Sequence, residues 1–401
     1  MDETMQFLNE VYSRIDDFSG KLVVGLKAVI DRIIVMPITR QQLFESIGPD
    51  VIHQVYGVPI GSLPIKTSKL TGMSGARIGG GAIPCHLEAK TIGAKNISSL
   101  VFASEETIEF AKKIAKENGM ELDLYSIVIP HYDNIILELL DDNILFRGTT
   151  LSGVTDAQIE EYVHRIKLLD LQTKDWITIC NLDLPVLNGI LELRKNIFLD
   201  LGYDEDKRRK GLFGQLCQRI CDLNYDAEII FSANSNELKN LAKEFGFNPE
   251  ENEIALAQKV ISETFSRTKL NTWLVIHGST VSFAVHPNEE IYRQEPWLVP
   301  TMDINPKRYT GAGDAFWSGF SVAYSSCRCI RSSVLFGNLV AAGRLMTDFE
   351  KDEYPDREKL FQLLRGQRLR AVNYGNGVKV YKPSDLTHLL RSPKPQAVRL
   401  H

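Results

Sequence analysis

The sequence predicts an α/β fold, a mainly parallel sheet with helices on both of its faces. Three observations lead there. Strand-like runs alternate with helical patterns along the chain, which is the signature of successive βα units. Most of those runs are nearly all apolar, as strands covered on both faces must be. And 401 residues with 44% hydrophobic content can bury a large core, either as one big domain with insertions or as two domains.

In chain order, the acidic start MDETMQFLNEVYSRIDDFSG lacks the apolar centre of a signal peptide. Strand-like runs follow at 21–35, 99–104, 124–130, 176–182, 196–202, 227–234 and 272–278, with helical patterns at 105–119, 155–170, 236–246 and 254–265. Two segments break the rhythm. Residues 36–78 are rich in glycine, proline and β-formers, and 132–148 read as a hairpin turning at Asp141-Asp142-Asn143. Both predict a small accessory sheet projecting from the main domain. The last thirty residues read as an appended strand and a partly disordered tail.

Composition excludes several classes. A net charge of −5 with scattered lysines and arginines gives no nucleic-acid surface. The local run Lys207-Arg208-Arg209-Lys210 sits beside Asp204, Glu205 and Asp206 and reads as a solvated loop. No apolar stretch approaches the roughly 20 residues of a membrane helix, so no membrane partner is expected. The six cysteines show no CxxC pair and no disulfide spacing, which suits a reducing, cytoplasmic setting. Cys217 and Cys221 share a helix face at i, i+4, but without nearby histidines they read as two small buried apolar residues.

The stretch RYTGAGDAFWSGF (308–320) concentrates small residues and a carboxylate before an amphipathic run. Phe316, Phe320 and Ala323 recur on one helical face, which makes TGAG a helix entrance. Unpaired N–H groups and the helix dipole suit an anion there, and Gly311, Ala312 and Gly313 allow close approach. The other reading of Asp314 is a helix cap after a glycine turn. A Walker loop is excluded, because Gly20-Lys21-Leu22 has neither the upstream glycine nor the hydroxyl. A dinucleotide fingerprint fails at its third glycine, where Phe316 or Pro84 stands.

At these residues the chain resembles the ribokinase-like (PfkB) family of carbohydrate kinases. YTGAGDAFWSGF is similar to that family's second signature. In RIGGGAIPCHLEAKTIGA, Gly79, Gly80 and Gly93 match the first, and Asn234 and Glu237 match the NxxE motif. Gly25 and Asp31 resemble the first strand and its substrate-binding aspartate, with one extra residue between them. The resemblance covers roughly residues 21–350. It implies a ribokinase-like three-layer sandwich with a β-rich lid, the kinase domain spanning 1–370 with lid segments at 36–78 and 132–148, and a C-terminal extension at 371–401.

The resemblance also implies ATP as phosphoryl donor, Mg²⁺, and a sugar-like acceptor. Asp314 would be the general base, and the Gly311, Ala312 and Gly313 amides the anion hole. Asn234 and Glu237 would organise Mg²⁺ and phosphate, Glu237 through water. Asp31 would accept hydrogen bonds from acceptor hydroxyls, with Gly79 and Gly80 letting the ligand lie against the main chain. Gly278 matches the glycine before the nucleotide loops, Asn338 a position near adenine, and His277 reads as structural. Open lid edges would allow a homodimer.

Departures from the family pattern point to a divergent specificity group. Arg308 and Tyr309 stand where Asp-Thr is common, which leaves the usual monovalent cation in doubt; the Arg308 guanidinium would supply the fixed charge instead. Pro84 replaces an asparagine, and the segment from Asp200 lacks the usual Pro and Asn. Two alternatives remain: a nucleoside kinase, with Tyr56 and Leu63 around the base, and a non-catalytic ligand sensor.

Overall fold

The apolar run 21–35 divides at Ala28 into two strands that enter different sheets. The computed structural model describes residues 3–35, 39, 41, 42, 45, 74–129, 134–138, 143–146, 154–265, 270–288, 297–308, 310–347, 353–373 and 378–391. Within them the strands are β1 (Leu22–Lys27), β2 (Val29–Val35), β3 (Ser74–Gly79), β4 (Ile97–Ala103), β5 (Leu124–Val128), β6 (Asn134–Glu138), β7 (Asn143–Phe146), β8 (Trp176–Cys180), β9 (Asn196–Asp200), β10 (Ile229–Asn234), β11 (Thr272–His277), β12 (Val281–Val285), β13 (Trp297–Pro300), β14 (Met302–Asp303), β15 (Arg368–Leu369) and β16 (Lys379–Val380).

Ten of them form one sheet in the order β16-β13-β12-β11-β10-β9-β8-β1-β4-β5. From β5 to β11 every neighbouring pair is parallel; β12 pairs antiparallel with both β11 and β13. Helices cover both faces, giving the three-layer, mainly parallel sandwich that alternation predicts. A second sheet, β3-β2-β6-β7, stands beside it and includes the 134–138 and 143–146 strands of the expected hairpin, paired antiparallel. Most of the 36–73 segment, with Tyr56 and Leu63, and the 141–142 part of the hairpin turn lie outside the described residues.

Aromatic packing fixes the centre. Phe198 on β9 is fully buried, stacks on Trp176 at 4.0 Å between ring centroids, and meets Trp317, Phe320 and Tyr324 edge-on. These last three lie on the helix Ala312–Cys327, so the sheet and the glycine-led helix are held in register by one cluster. Phe198→Ala is expected to destabilise by about 3–5 kcal/mol, the cost of a large buried cavity; urea unfolding measures it, and a loss below about 1 kcal/mol would contradict this packing.

Two expectations change, at 207–210 and at the C-terminal segment, and the N-terminus gains a structure. Residues 207–209 belong to a short helix, Glu205–Arg209, with Lys210 as its C-cap and the Asp204 side chain accepting from Lys207 N–H at its start. Arg208, Arg209 and Lys210 pair with Glu205 or Asp206, but Lys207 turns inward to the carbonyl oxygens of Leu201 and Gly202. The acidic N-terminus forms a helix, Glu3–Asp17, with Phe7, Leu8 and Val11 fully buried. The C-terminal segment supplies the expected strand, β16, and then a helix, Pro383–Arg391, whose Leu386 and Leu390 join the main core. That segment is built in because its amphipathic face has the N-terminal helix to pack on; residues 392–401 lie outside the described residues. All six cysteines are free thiols, Cys217 buried and Cys221 half-buried.

Candidate active site

β1, β8, β9, β10 and β11 are parallel, so their C-terminal ends share one edge of the sheet. Ligands bind at that edge in open α/β sheets. Here it carries Cys180, Asp200, Asn234 and His277.

The helix Ala312–Cys327 starts at this edge with Gly311 as N-cap, φ 88°. A side chain would be strained in that left-handed conformation. A Cβ at Gly311 would lie 3.4 Å from Arg77 Nη1 and 3.8 Å from both Arg308 Nη2 and Arg344 Nε. Three guanidinium groups therefore surround a bare helix N-terminus, and all three side chains are buried. Arg308 donates Nε–H to the Thr310 carbonyl at 3.1 Å. Arg344 lies over the Tyr354 ring, 3.8 Å from its centroid, and donates to the Glu353 carbonyl. Such a place is strongly attractive to a polyanion.

Asp314 sits in the first turn of that helix. Burial pushes its carboxyl up to about 6; nearby Arg77 and Arg344 oppose the rise and Asp31 adds to it. A carboxylate held near neutrality in a cleft has the properties of a general base. Gly81, φ 79°, presses against it: a Cβ there would be 3.3 Å from Asp314 Oδ1 and 2.6 Å from Cys180 Cβ. Gly80 has φ 81°, and its Cβ would stand 2.6 Å from the Lys27 carbonyl oxygen. The glycine run thus packs main chain against β1, β8 and the carboxylate at once.

Asp31 lies in β2 of the second sheet and not at the end of the first strand, because the chain changes sheets at Ala28. It is directly cross-strand from Arg77 on β3 and Asn134 on β6. Asn134 Nδ2 donates to one carboxylate oxygen at 2.8 Å and Arg77 Nε to the other at 3.3 Å. Gly79 faces this pair, since a Cβ there would overlap the Asp31 carboxylate. A water-sized cavity of about 10 Å³ lies between Arg77, Pro84, Glu88, Gly311, Asp314 and Arg344.

On the other side of the helix entrance, Asn234 and Glu237 form a capping box. Asn234 Oδ1 accepts from the Asn236 and Glu237 N–H groups, and Glu237 Oε2 accepts from Asn234 N–H at 2.8 Å. The motif therefore has a structural role in full. It also aims Glu237 at Asp200 and His277, one ligand atom from each lying within 4.8 Å of the others. Burial, then Glu237 and Asp314, push the Asp200 carboxyl well above its ordinary range. Two carboxylates and an imidazole so placed suit a divalent cation. At Gly278 a Cβ would be 2.7 Å from the Val281 carbonyl oxygen, so that tight turn, beside Ser235, needs glycine.

Asn338 is engaged within the fold. It is buried, Oδ1 accepting from Ser282 Oγ at 2.8 Å and Nδ2 facing the Val299 and Pro300 carbonyls at 3.3 Å. These bonds tie its helix to β12 and β13. Sequence reasoning missed Gly81, Arg77 and Arg344 and treated His277 as structural. The third glycine of the 79–81 run was the available signal for Gly81; the arginines, far apart in the chain, had none.

A parallel sheet with a glycine-led helix entrance facing a carboxylate across its ligand edge defines the ribokinase-like fold class. The chain matches the pfkB family carbohydrate kinase profile over residues 134–345 and belongs to that family. Its relatives of known structure share the fold. Phosphofructokinase-2 from Escherichia coli, in complex with potassium, aligns at a TM-score of 0.57 and 10% identity over 87% of this chain and 99% of that one. Ribokinase from Thermotoga maritima aligns at 0.56 and 15% over 87% and 100%. Adenosine kinase from Schistosoma mansoni, with 2-fluoroadenosine, aligns at 0.59 and 14% over 83% and 97%. No curated protein matches the chain. The family consists of phosphotransferases, and among the described residues no helix is long and apolar enough to cross a membrane.

Proposed function

We propose that the chain transfers the γ-phosphoryl group of ATP to a hydroxyl of a sugar or sugar derivative. The observation that carries this reading is the convergence at one sheet edge of a near-neutral carboxylate, Asp314, with bare amides at Gly311–Gly313 and three arginines. The acceptor hydroxyl gives its proton to Asp314 while its oxygen bonds to the γ-phosphorus and the bond from phosphorus to the ADP oxygen breaks. The Gly311, Ala312 and Gly313 amides stabilise charge on the transferred group, with the guanidinium groups behind them. A divalent cation, when bound, would neutralise phosphate charge, and Asp200 and Glu237 would hold it, a reading their proximity supports.

Asp31, with Gly79 and Gly80, holds the acceptor. The second sheet acts as a lid that keeps water from the transferred group. Its edge strands β3 and β7 are the surfaces through which two copies would pair. Gly278 shapes the nucleotide loop, whereas Asn338 supports it from within. Gly79→Ala, by displacing Asp31, is expected to raise the acceptor KM at least about tenfold with the KM for ATP nearly unchanged, as loss of ground-state contacts predicts. Equal changes in both KM values would remove Asp31 from the acceptor site.

The test is ATP-dependent phosphorylation of a panel of pentoses, hexoses, sugar acids, sugar phosphates and nucleosides. Turnover on a sugar-like acceptor that collapses in Asp314→Asn establishes the reading; turnover confined to nucleosides makes the chain a nucleoside kinase. Tight binding of a sugar or nucleotide with no transfer to any acceptor would make it a sensor on the same fold.

A further inference from the structure

His277 ends a strand at this edge, and the phosphoryl-transfer chemistry gives it no task. It ends β11, next to Asn234 at the end of β10, and β9 ends two strands away at Asp200. Parallel strands in this order deliver three side chains to one point, with Glu237 arriving from the first turn of the helix that follows β10. One ligand atom each from Asp200, Glu237 and His277 lies within 4.8 Å of the other two. Around an ion with bonds of about 2.1 Å, neighbouring ligand atoms are about 3.0 Å apart and opposite ones about 4.2 Å. Side-chain rotation that draws the three ligand atoms together from within 4.8 Å closes the site.

We propose that His277 is a direct nitrogen ligand for the divalent cation, alongside Asp200 and Glu237, and that this centre takes a first-row transition ion such as Mn²⁺ in preference to Mg²⁺. The cation's part in catalysis rests on the reading above, but the ligand set stands on geometry alone. Mg²⁺ is hard and favours oxygen, whereas imidazole suits the transition ions.

Several features support a ligand over a packed bystander. The imidazole stacks on Phe316, with ring centroids 4.9 Å apart and 27° between planes, so its orientation is fixed. Among the described residues, no hydrogen bond engages its ring nitrogens. The ring also borders the helix entrance, 3.7 Å from where a Gly313 Cβ would stand. The carboxylates supply the complementary reason. Two carboxylates with oxygens this close repel each other, and a cation between them turns that repulsion into attraction.

The test uses the whole chain with Mn²⁺ alone, without nucleotide, so that no adenine nitrogen can reach the ion. Electron spin-echo modulation of bound Mn²⁺ is expected to show nitrogen coupling that changes when histidine is ¹⁵N-labelled. In titrations, wild type should bind Mn²⁺ at least about tenfold more tightly than Mg²⁺. His277→Phe keeps the stack on Phe316 and removes the nitrogens; it should weaken Mn²⁺ at least about tenfold and Mg²⁺ less than about threefold. His277→Asn should do the same to Mn²⁺ without changing ring packing elsewhere. Absence of nitrogen coupling in wild type, or equal loss of both ions in the variants, overturns the proposal. The wild-type spectrum decides even where a variant does not fold. Nitrogen-coupled Mn²⁺ in a chain that phosphorylates nothing on the acceptor panel would support the ligand set while sinking the kinase reading.

Discussion

Asp314→Asn is expected to lower kcat by about 10²–10⁴-fold, the usual contribution of a positioned general base. The KM for ATP should change little, because the amides proposed to meet the phosphates belong to the backbone of Gly311–Gly313 and keep their positions in an isosteric variant. The wild-type pH profile should carry the same group. With burial holding the carboxyl at about 6, kcat/KM rises tenfold per pH unit below 6 and levels off above it. The variant should lack that limb.

Stability moves the other way. The folded-state pKa lies above the ordinary 3.8, so the carboxyl's stabilising contribution is complete below that value and is lost as pH rises through about 6. At pH 7.5 the ionised group is therefore a burden on the fold, and Asn removes it. Asp314→Asn should unfold at higher denaturant at pH 7.5, by on the order of 1–3 kcal/mol, with the advantage vanishing near pH 4. A variant that is both inactive and less stable at pH 7.5 would mean that Asp314 holds the helix entrance together as a cap.

What the sequence showed and what it hid follow from the range of each interaction. The helix entrance was legible because Gly311, Ala312, Gly313 and Asp314 are contiguous, and their backbone requirements are local. The parallel sheet was legible because strands covered on two faces must be apolar throughout. That same rule concealed the break at Ala28, where one apolar run feeds two sheets and only tertiary pairing decides which. Asn338 was singled out only by resemblance, and its partners are carbonyls about forty residues away, at Val299 and Pro300. Arg77 and Arg344 were illegible for the same reason: each is an ordinary arginine until the fold brings it to Gly311.

The arginine cluster carries the second large effect. In its family the position of Arg308 commonly bears an aspartate that helps to bind a monovalent cation, whereas here a buried guanidinium faces the helix entrance beside Arg344. On the proposed reading, this fixed charge does the electrostatic work of the ion. Two unit charges about 4 Å apart interact by about 4 kcal/mol at an effective dielectric of 20, so removing one should cost a large part of the transition-state stabilisation. Arg308→Met, which keeps bulk and loses charge, is expected to lower kcat by about 10³-fold, the low end for arginines that stabilise phosphoryl transfer. Arg308→Lys should recover only part of it, since an ammonium cannot reproduce the planar fork that donates to Thr310. Wild-type turnover should be the same within about twofold in K⁺, Na⁺ or Tris buffers, because screening beyond the site is equal at equal ionic strength. Strong activation by K⁺ over Na⁺ would show that the guanidinium and an ion share the place, and that Arg308 positions the loop instead of supplying its charge.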